Sequence, residues 1–209
     1  DTERVLDDLA RWTNIDTLLI CQREGSDEAG MMLPDASAFG DLPVPIAPAA
    51  FERTMEVIEL ARTKGFAVAI HANTMYGCPT TLRHLNCRSL APAQPPADND
   101  LIWACPNHPD AVSYGKAVTR ALIEAWPVDL LEINHVEYPL YCDSLDGYAN
   151  CFCDHCYARA EGQGIDLGAI ERLLTTLLGQ LNSGALAERW LDELAGSPLL
   201  AQWLAFRTG

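Results

Sequence analysis

Apolar residues at Val5, Leu6, Leu9 and Trp12 recur at helical spacing, so Thr2 to Trp12 is expected to be a helix burying one stripe. The run Thr17 to Cys21 is continuously apolar apart from its first residue and has the length of a strand. The same cycle returns twice. Phe51 to Lys64 carries Met55, Ile58 and Ala61 on one face and meets a stop at Gly65; Phe66 to Ile70 then reads as a buried strand ending at His71-Ala72-Asn73. A third helix is expected from about Pro109 to Trp126, closed by Pro127, followed by a strand from Val128 to Asn134. Amphipathic helices are expected at Ala169 to Leu181, Ala185 to Ala195 and Pro198 to Phe206.

Strands separated by single helices imply βαβ units and a parallel sheet. The connections are unequal. Gly25 to Pro48 and Thr74 to Asn107, both rich in turn-forming residues, follow strands, whereas Lys64-Gly65 and Trp126-Pro127 follow helices. Long loops at the carboxyl ends of strands make a one-sided functional face. The expected fold is therefore an α/β chain of (β/α) TIM-barrel type, a single catalytic unit over residues 1–209. Only three strands are clear, and a closed eight-stranded barrel takes about 250 residues. About half a barrel is expected in this chain, with a small open α/β sheet as the alternative.

Charge narrows the partners. A formal net charge of −15 argues against nucleic acid and against anionic membrane surfaces, which need clustered Lys and Arg. No apolar run reaches the roughly 20 residues of a membrane-spanning helix. A neutral substrate such as a carbohydrate meets no charge penalty, and a homo-oligomer is left open. No signal peptide is visible, which leans the chain towards the cytoplasm. The nucleotide-binding glycine motifs, the His-Glu-x-x-His zinc motif and the serine-hydrolase elbow are all absent.

Eight cysteines are many for a cytosolic enzyme, and three of them form Cys151-x-Cys153-x-x-Cys156. Three thiolates within six residues can converge on one tetrahedral ion if the chain turns tightly. Cys105, in the loop after the preceding strand, is the chosen fourth ligand, with Cys142 or His155 as alternatives. An all-sulfur closed site points to structural Zn2+. Cys21, Cys78, Cys87 and Cys142 are read as small buried hydrophobes, with a loop disulfide between Cys78 and Cys87 left open.

Cys105-Pro106-Asn107-His108-Pro109, the strand and turn from Val128 to Pro139, and Cys151 to Cys156 together resemble the zinc-binding β-galactosidases of glycoside hydrolase family forty-two and uncharacterised barrel proteins related to them. The resemblance covers about a quarter of the chain. It implies a barrel fold, a structural zinc and hydrolysis of a β-galactoside-like carbohydrate. The family's acid/base Glu directly follows an Asn; here Asn134 is followed by His135, and the nearest Glu is Glu137.

Glycoside hydrolysis takes two carboxyl groups across the scissile bond. Glu137, just past a strand, is the candidate proton donor, and Glu132, within an apolar strand, a substrate-orienting or charge-balancing group. His71, Asn73, Asn134 and Tyr138 are the candidate substrate-binding residues at the same strand ends. His71 also reads as a hydrogen-bonded support for its loop. The rival reading is a non-catalytic carbohydrate-binding or scaffold protein, or an inactive fragment.

Overall fold

The computed structural model describes residues 1–21, 30–87, 102–134, 136, 138, 150–183 and 196–208. Helix α1 (Thr2–Trp12) starts at Asp1, whose carboxylate accepts from the Arg4 backbone N–H at 3.3 Å. Strand β1 (Thr17–Cys21) follows. Helix α2 (Pro48–Thr63) begins with proline in its first turn and is released by Gly65 at φ 87°. Strand β2 (Ala67–Asn73) then pairs in parallel with β1, Leu19 opposite Ala69 and Cys21 opposite His71. Helix α3 (Pro109–Ala125) leads to strand β5 (Leu130–Asn134), which pairs in parallel with the other side of β2, His71 opposite Glu132 and Asn73 opposite Asn134.

Between β2 and α3 lies structure that the sequence pattern did not predict. Strands β3 (Tyr76–Cys78) and β4 (Ile102–Trp103) form an antiparallel ribbon, with a 3-10 turn over Thr80–Leu85 between them. Two- and three-residue strands are too short to show a period.

Helices α2 and α3 cover the same sheet face. Ile58 and Ala61 of α2 and Ala111, Tyr114, Val118 and Leu122 of α3 join Val68, Ile70 and Ala72 of β2 in one core. Fully burying such a side chain contributes about 1.5–3 kcal/mol. The loop from Gly30 to Ala47 closes one side of this core with Met31, Leu33 and Phe39. Gly30 (φ 75°) is needed there, because a Cβ would sit 2.7 Å from the Pro45 carbonyl carbon. The opposite sheet face carries Leu19, Ala69 and Leu130, and Leu19 and Leu130 are 55% and 57% exposed.

The barrel expectation is corrected here. Among the described residues the parallel strands make a three-stranded open sheet, order β1-β2-β5, and no TIM barrel closes. The loop asymmetry was a sound guide to which end carries the polar residues. It says nothing of strand number, since any parallel sheet with helical crossovers shows it, and closure needs strand count, tilt and stagger to agree.

A second core stands beside the first. Helices α4 (Asp154–Gly162), α5 (Leu167–Asn182) and α6 (Pro198–Thr208) bury Ala160, Leu167, Ile170, Leu174, Leu178, Trp203 and Phe206 around Phe152 and the cysteines. Trp203 stacks on Phe152 with ring centroids 5.0 Å apart. The helix expected from Ala185 to Ala195 falls outside the described residues. Among the described residues no helix is long and apolar enough to cross a membrane.

Candidate metal centre and the strand-end polar row

Cys105 is delivered by the β3–β4 ribbon. Its N–H donates to the Leu85 carbonyl at 2.8 Å, and the Cys87 N–H donates to the Trp103 carbonyl at the same distance, so residues 85–87 and 103–105 run antiparallel. Beyond Cys105 the chain turns at once into α3: the His108 N–H donates to the Cys105 carbonyl at 2.9 Å, and His108 Nδ1 accepts from the Asp110 N–H, capping the helix. Cys153 is the N-cap of α4 and Cys156 lies in its first turn, where the positive end of the helix favours thiolates. Spacing of three residues puts those two on one side of the helix.

The four sulfurs of Cys105, Cys151, Cys153 and Cys156 lie within 4.8 Å of one another. Cys105–Cys156 is 3.5 Å, Cys105–Cys153 3.6 Å and Cys153–Cys156 3.7 Å. A disulfide would need about 2.05 Å. A tetrahedral ion with metal–sulfur bonds of 2.3 Å has sulfur–sulfur edges of about 3.8 Å. The donor set and its edges therefore fit a metal ion. The thiols also share protons unequally. Hydrogen bonds led by that from Cys105 hold Cys151 far below the thiol range and draw Cys153 down to about 6, while Cys105, facing the Cys151 thiolate, is pushed far up.

Around the sulfurs is a polar and cationic layer. Asn107 donates from Nδ2 to Cys156 Sγ at 3.3 Å and accepts from Arg159 at 2.6 Å. The same amide touches the Tyr138 hydroxyl, which lies 3.7 Å from Cys156. Arg207 sits over the Tyr138 ring at 4.2 Å and donates to Asn150 at 2.7 Å. A divalent ion with four thiolates carries a formal charge of about −2; Arg159 and Arg207 place two positive charges beside it. Burial, the larger influence, pulls Arg207 below its ordinary value, and the neighbouring Cys87 thiol pulls the other way.

The sequence reading missed Arg159 and Arg207, and with them a further cysteine of this region. Cys87 forms no disulfide and packs against the second core, and burial pushes its thiol well up. Cys78, its possible partner in the loop disulfide left open by the sequence, is buried elsewhere, in the first core. Neither fact has a local sequence signal, because both depend on the ribbon.

The second cluster is the polar row at the carboxyl ends of β2 and β5. His71 Nδ1 lies 3.0 Å from Glu132 Oε2, and Nε2 lies 2.9 Å from Asn73 Oδ1 and 3.4 Å from Asn134 Nδ2. The parallel register sets all four on one face. A carboxylate at Nδ1 fixes that nitrogen as the donor, leaving Nε2 to accept from Asn134 or, once protonated, to donate to Asn73. The Glu132 side chain is 51% exposed, so this row is open to solvent. Cys21, expected to be buried, is exposed on β1 in register with His71.

Of the predicted site residues, the structure brings together Cys105, Cys151, Cys153 and Cys156, and separately His71, Asn73, Glu132 and Asn134. Tyr138 does not join the row; it is buried in the second core against Cys156. Glu137 and the alternative ligand Cys142 lie outside the described residues. His155, the other alternative, packs on His108 with ring centroids 4.2 Å apart.

No family model matches the chain, and no curated protein matches it. Among solved structures, the chain is similar to a hypothetical protein from Ruminiclostridium thermocellum ATCC 27405, with 15% sequence identity and a TM-score of 0.44. That likeness covers 66% of this chain and 71% of the other.

Proposed function

We propose that Cys105, Cys151, Cys153 and Cys156 hold a structural zinc ion, and that this centre braces a strand-end face that takes a neutral carbohydrate. The observation that carries the zinc reading is the gathering of four sulfurs within 4.8 Å of one another, Cys105, Cys153 and Cys156 being 3.5–3.7 Å apart, with no disulfide formed among the four cysteines. Zinc suits an all-thiolate tetrahedral set, and four protein ligands leave no position for a reacting water. Its contribution is to fix the loops. Cys105 belongs to the segment after β2, and Cys151, Cys153 and Cys156 to the segment after β5, so one ion pins together the chain that leaves both strands of the polar row.

For the row, the amide groups of Asn73 and Asn134 and the His71–Glu132 pair offer donors and acceptors of the kind sugar hydroxyls need. The hydrolytic form of the proposal assigns proton donation to Glu137, just past the strand in sequence, and substrate orientation or charge balance to Glu132 within it. Purified zinc-loaded protein should then cleave aryl β-galactosides, and Glu137→Gln should lower turnover by about 10²–10⁴. Equal turnover in the variant removes the acid role. The second reading, non-catalytic carbohydrate binding, is favoured by one observation: Glu132 is the one carboxylate of the row among the described residues, and hydrolysis needs two. Calorimetric titration with galactosides separates the readings, since binding without cleavage supports the second and neither contradicts both.

A further inference from the structure

A tetrahedral ion takes four of the sulfurs gathered here, and the structure holds a fifth. We propose that Cys87 is an oxidation site, the thiol that captures an oxidised zinc ligand in a disulfide and so expels the metal. The inference rests on the zinc reading above.

The placement comes from the antiparallel pairing of residues 85–87 with 103–105. Cys87 lies opposite Trp103 and Cys105 opposite Leu85, so the two cysteines lie diagonally on the same side of the ribbon. Cys87 packs against the core cluster that contains Cys105 and Cys151. It is therefore next to one ligand from each of the two loops that the ion joins. Cys87 and Cys153 are both half-buried rather than sealed, which gives a small oxidant a way in. Cys78, by contrast, is fully buried in the first core, and its Sγ donates to the Thr74 and Met75 carbonyls at 3.9 and 3.6 Å.

The chemistry balances with a peroxide as the oxidant. A ligand thiolate attacks hydrogen peroxide, breaking the O–O bond to give a sulfenic acid and hydroxide. The Cys87 thiol then attacks the sulfenic sulfur. An S–S bond forms, the S–O bond breaks, and the Cys87 proton leaves with the departing oxygen as water. Both sulfurs are oxidised and one peroxide is reduced. The metal, left with three thiolates, loses the closed coordination that held it. A dithiol reductant and fresh zinc reverse the change.

The test uses the full chain loaded with zinc. It is exposed to hydrogen peroxide in slight molar excess, with released zinc followed by a chromogenic chelator and disulfides mapped by peptide mass spectrometry. The expected result is zinc release accompanied by a disulfide from Cys87 to Cys105 or Cys151, reversed by dithiothreitol with added zinc. Cys87→Ser leaves all four ligands in place and should release zinc several-fold more slowly, while Cys78→Ser should behave as the unaltered chain. Release from Cys87→Ser at the unaltered rate overturns the proposal. So does a map in which every new disulfide omits Cys87, a result that needs no variant to fold. A chain that takes up no zinc contradicts the underlying metal reading; a zinc-loaded chain whose disulfides omit Cys87 contradicts this inference alone.

Discussion

Around Val68, Ile70 and Ala72 the interior is filled by aliphatic side chains from two helices and a sheet. Around Cys105, Cys151 and Cys156 apolar side chains share the interior with buried sulfur and the Tyr138 side chain, and a half-buried asparagine amide and two half-buried arginines lie beside them. The first core repays the ordering of its chain by removing apolar surface from water. The second also buries thiols, which would be costly there as thiolates unless satisfied. The comparison teaches where each region draws its stability. Apolar burial holds the sheet, while the cysteine region, on the zinc reading proposed above, draws on an ion that would neutralise four thiolates and tie together two separate stretches of chain.

The comparison can be broken most sharply at a ligand. Cys156→Ser should abolish zinc retention and melt the α4–α6 region while sparing β2. Apparent binding energies of structural zinc sites are about 10–16 kcal/mol, so the loss should be the largest of any single substitution. Zinc content, near-ultraviolet dichroism of the stacked Trp203, and amide exchange of Val68 and Ile70 would report the two regions separately. Simultaneous loss of exchange protection in β2 would show that the cores are one unit.

The reciprocal change is Ile70→Ala in the first core. It should cost about 2–5 kcal/mol in denaturant unfolding, since the side chain is fully buried between β2 and the helices. Zinc stoichiometry should stay unchanged. Zinc loss in this variant would mean that the sheet is what shapes the cysteine site.

A smaller effect should appear with acid. Asp129 accepts from the Val68 N–H at 2.9 Å and from Arg62 at 3.1 Å, and the backbone bond chiefly holds its carboxyl below the ordinary 3.8. A depressed folded-state value means stability that is complete above the unfolded value and lost as pH falls through the folded one. Asp129 should therefore add no pH dependence near neutrality and a modest loss below pH 3.8. Asp129→Ala should remove that acid-side slope in urea titrations; an unchanged slope would assign it to other carboxyls.

Much of the first region was legible because its elements are long and periodic. The helical spacing of Val5, Leu6, Leu9 and Trp12 and the stops at Gly65 and Pro127 each act within a few residues, although of that stripe Leu6 is buried and Val5 and Trp12 are exposed. The number of strands that close a sheet is set by packing between elements, which is why the barrel expectation failed on an otherwise sound reading of β1, β2 and β5. In the second region the three-cysteine spacing was readable, and Cys105 followed from its place after a strand. Cys87, Arg159 and Arg207 were not, because they reach the centre only through the β3–β4 ribbon and the docking of α4 and α6. Tyr138 was placed with the sugar-facing residues on proximity to a strand end, yet it is buried in the sulfur core against Cys156.

X-ray absorption at the zinc edge tests the central claim most directly. The account predicts one zinc per chain with four sulfur neighbours at about 2.3 Å and no nitrogen or oxygen in the first shell. A shell containing light-atom ligands, or a chain purified and reconstituted under reducing conditions that retains no zinc, would contradict it.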